Sequence, residues 1–597
     1  MPKEQEEQLK QQLSAHLVTQ AVGIRQRRRV VEEQWLYSRR AWMNSSLDSH
    51  FKPTDSSASS YHVPAGRRAT ERSVVRAVKL LTPNVKWYEV LPVDERASAI
   101  VGNVDMFMNY VLRKRIKTRT NISQLVRSLL MYGICHIKTS IKVVNGRVWP
   151  QQRVIDPFAF YTFPETVANI EDADIVFEDY LFSYEQYKTF VARGIVEDVH
   201  ASDLVKPDWP YHLVERLAYQ GITDPTQDIS LAIEQTSNNL QKTSASFVSI
   251  TEMWLPKNDN LYQVYLLWNH RDGPRVVGFI KSDYDTPLYR SAVHRPLPGE
   301  LYTNSMVSDI AELNVMQNDL INKFHEAVDW EQGFVIAQAD KRHDSWKAKG
   351  RAVWLAQDDP RQLALFVQPP VTSTNLLRAW QIDTGLINSL ASAGSIAEGQ
   401  PGRNMPRAGG AVNSLISLGM ADTQDISELI EQEVLTPSLG DIYKVAALFI
   451  PDDQLMRIPG GQGLFGAVLK KADILADYEF EWVGSLQFQD EQLRAQRMMI
   501  FLNLAIQPQA IQMLAQQGYA FNFPELIKTV WRYGLGERGL QNIIVPLPKM
   551  MQDMQGGQQP TQQIGQLNGQ QPQYSGRNGV AGLNYSLPTV TQGFVQQ

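Results

Sequence analysis

Several groups of residues have types and spacing that invite chemistry. Gly461-Gln462-Gly463-Leu464-Phe465-Gly466 matches the GxGxxG pattern of dinucleotide sites. That pattern binds a pyrophosphate only where an apolar strand leads into it and a helix follows. The stretch before it, Asp452 to Pro459, ends in proline and reads as no such strand, so the motif reads as a flexible turn. Cys135 and His136 are adjacent, the pair of types a cysteine nucleophile needs. They stand in the alternating run Cys135 to Val143, which sends neighbouring side chains to opposite faces of a strand, with Cys135 on the apolar face and His136 on the wet one. Catalysis needs the two to converge, so this pair is a poor candidate. Glu171, Asp172, Asp174, Glu178 and Asp179 gather carboxylates that hard cations favour. No EF-hand spacing accompanies them, and Ile175, Val176 and Phe177 read as a strand, so a solvated acidic edge is expected.

The ten histidines are scattered, and GxxxxGK[ST], HExxH and GxSxG are missing from the chain. No catalytic set, metal site or cofactor is therefore expected. Two cationic features are left. Arg25, Arg27, Arg28 and Arg29 precede Trp35, Tyr37, Arg39, Arg40 and Trp42, a basic-aromatic mixture that can touch nucleic acid or an acidic partner. The plainer reading is a solvated helix whose tryptophans pack inward. The stretch from Gly394 to Gly410 sets Gln400, Arg403, Asn404 and Arg407 among five glycines, with few aliphatics to pack. Such groups contact phosphate oxygens without reading sequence. It reads either as a plain surface loop or as a phosphate-contacting one.

A chain of 597 residues exceeds what one core usually holds, so two or more domains are expected. With 43% hydrophobic and 20% charged residues the composition is globular. No apolar run approaches membrane-spanning length, and Met1 to Leu17 is rich in Gln, Glu and Lys, so no membrane partner is expected and the chain reads as soluble and intracellular at synthesis. The single cysteine excludes an intrachain disulfide and a cysteine zinc site. A formal charge of -5 confines any nucleic-acid contact to local basic patches.

The elements that must position these groups follow from periodicity. Met306, Ile310, Leu313, Leu320, Phe324 and Val328 make one apolar stripe on a helix from about Asn304 to Trp330, roughly 40 Å long. A second helix runs from about Thr374 to Ala393, with Leu376, Leu377, Trp380, Leu386, Ile387 and Leu390. Between them Gly333 to Pro370 has three short apolar runs, as a small β insert would. Upstream, helices are expected over residues 1 to 50, Arg67 to Leu81, Ala97 to Arg115, Asn121 to Tyr132 and Ser183 to Ala192. A hairpin turns at Asn145-Gly146, and three strands form a meander over Phe247 to Leu255, Leu261 to Trp268 and Val276 to Ile280. Residues 200 to 245 read as polar and irregular. Downstream, Val412 to Phe449 is helical with a break near Thr436-Pro437, Asp477 to Leu486 has strand character, and Asp490 to Gln507 and Pro524 to Tyr533 are helical. From Met551 the chain is Gln/Gly-rich and expected to be largely disordered alone. The fold class is α+β and mainly helical.

Pro298-Gly299-Glu300 leads into the helix that carries Asp309, Glu312, Leu313, Asn314 and Asn318; an insert, a returning helix, a Gly/Arg loop and a long helix follow. In this order of elements, over roughly residues 20 to 535, the chain resembles the portal proteins of tailed double-stranded DNA bacteriophages, of the short-tailed type. No signature motif carries the resemblance. It implies a homo-oligomer of twelve copies at one capsid vertex, a conduit for DNA packaging and ejection. Implied partners are the major capsid protein, scaffolding protein, terminase large subunit, tail adaptor and double-stranded DNA; implied locations are the virion and, during assembly, the host cytoplasm. By position it implies a wing over residues 1–300, stem helices at 301–330 and 373–393, and a clip at 331–372. It further implies a tunnel loop at 394–410 facing DNA through Gln400, Arg403, Asn404 and Arg407, a long helix with returning wing strands at 411–488, a crown at 489–550, and the tail at 551–597. Competing readings are another head-tail adaptor or scaffold protein, and a metal-dependent nucleic-acid enzyme using the 171–179 carboxylates.

Asn314, Asn318 and Asn322 recur at four-residue steps on the first stem helix, a polar stripe that suits a wet channel face. Twelve copies at -5 would carry about -60, so the wall of such a ring would repel DNA on average and let it slide.

Overall fold

The computed structural model describes residues 3–43, 61–331 with breaks at 62, 84–86, 145, 168–169, 222–228, 244–246 and 258–259, then 335–338, 353–356, 371–390, 422–449 and 478–484. The expectations for GxGxxG, the loop at 394–410, the helices at 490–507 and 524–533, and the C-terminal tail lie outside these residues. The described part mixes helices with sheets that are antiparallel except for one two-stranded parallel pair, α+β as the sequence reads.

Helix α1 (Lys3–Met43) opens the chain, followed by α2 (Ala65–Leu81), strand β1 (Tyr88–Pro92), α3 (Glu95–Tyr110) and α4 (Thr118–Tyr132). Helix α3 ends in a π turn over Val111–Arg115, where the Ile116 N–H bonds the Val111 carbonyl. Helix α4 stops at Gly133, whose φ is 78° and where a Cβ would collide with the Thr303 carbonyl. Only glycine serves there, and the chain turns directly into β2 (Ile134–Val144).

The expected hairpin of β2 with β3 (Arg147–Ile155) is present, but β2 is not its edge. Strand β9 (Tyr289–Val293), from 150 residues downstream, pairs along the other side in the order β3-β2-β9. Both edges of β2 are therefore paired, and both of its faces are packed as well. Cys135 and Ile137 join the main core with α2, α3, α4 and the 422–449 helix. His136 and Lys138, expected on a wet face, are 1% and 8% exposed. They face a second sheet, with His136 against Phe160 at 4.3 Å between ring centroids.

That sheet contains the expected meander, β6 (Phe247–Lys257), β7 (Asn260–Leu267) and β8 (Arg275–Lys281), extended by β4 (Phe160–Phe163) and β5 (Ile175–Ser183) to the order β4-β5-β6-β7-β8. Leu17, Ala21 and Ile24 of α1 cover one face. Helix α5 (Tyr184–Ala192), opened by a capping box at Ser183 and Gln186, brings Tyr187 to a core on Val248, Ile250 and Leu267. Two helices, α6 (Tyr211–Gly221) and α7 (Ile229–Thr243), occupy the stretch expected to be irregular. The polar composition of α7 hid its amphipathic periodicity, whereas α6 carries Val214, Leu217 and Ala218 at helical spacing.

The expected break at Thr436-Pro437 is a π turn over Glu431–Leu435, after which the helix continues as Thr436–Phe449. Proline has no N–H for the helical ladder and its ring crowds the carbonyl four residues back. The wider turn absorbs both effects. Strand β12 (Tyr478–Trp482) then returns to pair antiparallel with β1.

Candidate functional site

The two helices expected from about Asn304 to Trp330 and from about Thr374 to Ala393 are observed as α8 (Met306–Glu331) and α9 (Ser373–Leu390). They run antiparallel in contact. Gln317 Nε2 donates to Thr384 Oγ1 at 2.6 Å midway along, and Glu331 at the end of α8 meets the start of α9. There Glu331 Oε1 accepts the backbone N–H groups of Thr372 and Ser373 at 2.7 and 2.8 Å, and Oε2 accepts Ser373 Oγ at 2.7 Å. A carboxylate at the positive end of a helix is favourable, and these bonds hold the Glu331 carboxyl below its ordinary pKa. Between the helices in sequence, strands β10 (Val335–Gln338) and β11 (Val353–Ala356) form a parallel pair. The third apolar run of the insert, Leu363 to Val367, lies outside the described residues.

Only the base of this rod is embedded. Met306, Val307, Ile310 and Ala311 are at most 2% exposed. Beyond Asn318 no described side chain of α8 is buried, and on α9 only Asp383 and Ile387 are. Ile382, Leu386 and Leu390 are 64%, 47% and 42% exposed at four-residue steps. They form an apolar stripe along α9 that nothing in the chain covers among the described residues.

Asn314 and Asn318 are buried and do not face a wet channel, and Asn322 is half-buried. Asn314 and Asn318 are 2% and 1% exposed, and all three bind the chain at 61–66. Asn322 accepts the Tyr61 N–H at 2.7 Å, Asn318 the Val63 N–H at 2.8 Å and Asn314 the Gly66 N–H at 3.1 Å. Pro64, at the N-cap of α2, makes no side-chain cap, so Asn314 satisfies an N-terminal amide of α2 from a different helix. Four-residue spacing gave the shared face correctly; the neighbour on that face comes from 250 residues upstream and leaves no trace in the local pattern.

Within the arginine run Arg25 and Arg28 are turned inward, while Arg27 and Arg29 stay exposed. Arg28, 1% exposed, donates to the Pro157, Phe158 and Phe160 carbonyls and to Glu32. Arg25 binds Asp179 and lies 4.0 Å from the Trp268 ring centroid. Trp35 packs on Phe158, Tyr132 and Tyr302.

The carboxylates at 171–179 are dispersed, not gathered. Glu171 pairs with Arg290, Asp179 with Arg25, and Glu178 with Arg153. Asp172 and Asp174 are exposed. No group of three or more His, Cys, Asp or Glu side chains suited to a metal ion occurs among the described residues. Glu178 departs from the expected solvated edge: its side chain is 2% exposed, in a network that joins the two sheets. Lys138 Nζ lies 2.6 Å from Glu252 Oε1 and 3.7 Å from Glu178 Oε2. Trp254 Nε1 and Gln263 Nε2 also donate to Glu252, and Tyr180 and Tyr289 donate to Glu178. Burial alone would raise the Glu252 pKa, but Lys138 and these donors keep it below the ordinary value. Two cations and two carboxylates balance, as a buried tie requires. Cys135 cannot act as a nucleophile at neutral pH, since burial pushes its thiol up to about 12. His136 is pushed down to about 3 by burial and by Arg28, and stays neutral.

No helix among the described residues is long and apolar enough to cross a membrane. Compared with family models and with curated proteins, the chain matches none.

Proposed function

We propose that this chain is a ring-forming subunit of portal type, a DNA conduit whose copies associate side by side through the α8–α9 rod. The observation that carries the proposal is the uncovered stripe Ile382, Leu386 and Leu390 on a helix pair whose base alone is embedded. A continuous apolar stripe on an exposed rod calls for a partner surface, and the rod repeated around an axis supplies one. The insert joined to the rod's far end, with Glu331 clamping the start of α9, would stand clear of the body to dock terminase or an adaptor. Gln400, Arg403, Asn404 and Arg407 follow α9 in sequence and lie outside the described residues; the proposal gives them the DNA-facing role.

Electron microscopy and native mass spectrometry of the purified full chain test this reading. Closed rings, expected as dodecamers, support it. A monomer at every concentration and salt overturns it.

A further inference from the structure

The hairpin and the start of α4 enclose a cleft of about 410 Å³, within the range of small-ligand sites. Five cationic side chains line it, Lys114, Arg115, Lys117, Lys142 and Arg153, and no carboxylate does. The residues come from three places: the π turn after α3, the first turn of α4, and both strands of the hairpin. Local sequence spacing therefore gives no hint of the cluster.

The cations differ in how they are held. Arg115 is spread over the Trp149 ring at 4.0 Å, and Arg153 is oriented by Glu178 at 2.6 Å behind the cleft. Lys114, Lys117 and Lys142 are exposed and join no ion pair among the described residues. A concentration of like charge without counter-charge is self-repelling, and an anion relieves it. A second observation points the same way. Gln152 is 8% exposed and lines the cleft, and its side-chain Nε2 has no hydrogen-bond partner, while its backbone carbonyl accepts Asn121 Nδ2 at 3.2 Å. A buried amide donor without an acceptor is costly unless a ligand supplies one. Lys117 and Asn121 also belong to the N-terminal end of α4, where the helix dipole favours negative charge.

We infer that this cleft binds a phosphate-bearing ligand, with Lys117 and Lys142 on its charge and Gln152 donating to one of its oxygens. Two sources offer that chemistry, a free polyphosphate compound and the backbone of a nucleic-acid strand. The inference is independent of ring formation, since every residue it uses belongs to one chain.

Isothermal titration of the full chain with inorganic pyrophosphate and with a short oligothymidylate, at about 50 mM salt where phosphate contacts are strongest, tests it. Saturable one-to-one binding of pyrophosphate that the oligonucleotide does not displace supports a site for free phosphates; binding of the oligonucleotide, alone or in competition with pyrophosphate, supports a site for the strand backbone. In either case Lys117→Gln with Lys142→Gln should weaken binding at least about tenfold, the loss of charge-assisted bonds, and Gln152→Leu should do so without changing the net charge. Circular dichroism identical to the parent chain shows that the variants fold. If neither probe saturates, or the folded variants bind as the parent does, the inference is overturned.

Discussion

Glu331 ends one helix and begins the next: its carboxylate receives both the backbone N–H and the hydroxyl of Ser373, 42 residues downstream. Among the described residues, this one side chain ties the far ends of the two helices together. Glu331→Ala should free these donors, and amide hydrogen exchange at Thr372 and Ser373 should speed up while exchange at the base of α8 is unchanged. Equal exchange in both proteins would mean that the clamp does not hold in solution.

Asn314 joins the rod to α2 through the Gly66 N–H, and Asn318 joins it to the residue pair before α2 through the Val63 N–H. Replacing either with Ala leaves a covered N–H without a partner, a cost of about 1–3 kcal/mol. Urea unfolding should show the loss for Asn318→Ala, and a smaller one for Asn322→Ala, whose bonds to Tyr61 are exposed.

A charge placed on the α9 stripe separates assembly from folding. Leu386→Asp, at a side chain 47% exposed, should leave the helical circular dichroism intact and convert rings into smaller species on native mass spectrometry. Rings of parental size in that variant would remove the stripe from the interface.

Neighbouring arginines should behave oppositely. Arg28 is enclosed by three carbonyls and Glu32, so Arg28→Gln should destabilise by about 3 kcal/mol. Arg29, whose side chain is 80% exposed beside Glu33, should tolerate the same change within about 0.5 kcal/mol. Thermal denaturation of the two variants side by side is sufficient.

Burial keeps His136 neutral down to a pKa of about 3 and His212 down to about 4. In the unfolded chain both take up a proton near pH 6.5, so the unfolded state binds more protons below that value. The stability due to their neutral burial is fully present above pH 6.5 and is lost as pH falls towards these depressed values, at about 1.4 kcal/mol per pH unit for each histidine. Below the ordinary carboxylate range Glu71, held down by its hydrogen bonds from Arg127, adds to the loss. The urea midpoint should fall between pH 6.5 and 4, with a shallower slope in His136→Gln.

Elements with strong periodicity were legible before any coordinates. The stripe from Met306 to Val328 and the alternation from Cys135 to Val143 placed α8 and β2 within a few residues of their observed ends. What escaped was identity of neighbours. His136 and Lys138 look solvent-facing because alternation separates faces without saying what lies beyond each, and β9 and the second sheet arrive from far downstream. Helix α7 escaped because polar residues dominate it, the short α6 escaped although Val214, Leu217 and Ala218 stand at helical spacing, and the arginine run misled because Arg28 is stabilised by backbone carbonyls that composition does not display. Of the candidate sites, the rod was readable, the asparagines were found with the wrong partner, and the basic cleft was invisible because its cations meet only in three dimensions.

The asparagine ladder has a mechanical meaning. Its rungs repeat every four residues of α8, about 6 Å along the axis. Sliding the rod by that distance would hand Asn318 to Tyr61 and Asn314 to Val63, re-forming two rungs of three, whereas any shorter slip would form none. With Met306, Val307, Ile310 and Ala311 buried at its base as well, the joint between rod and body is keyed to one register, and an axial slip shorter than a rung would break all three rungs together.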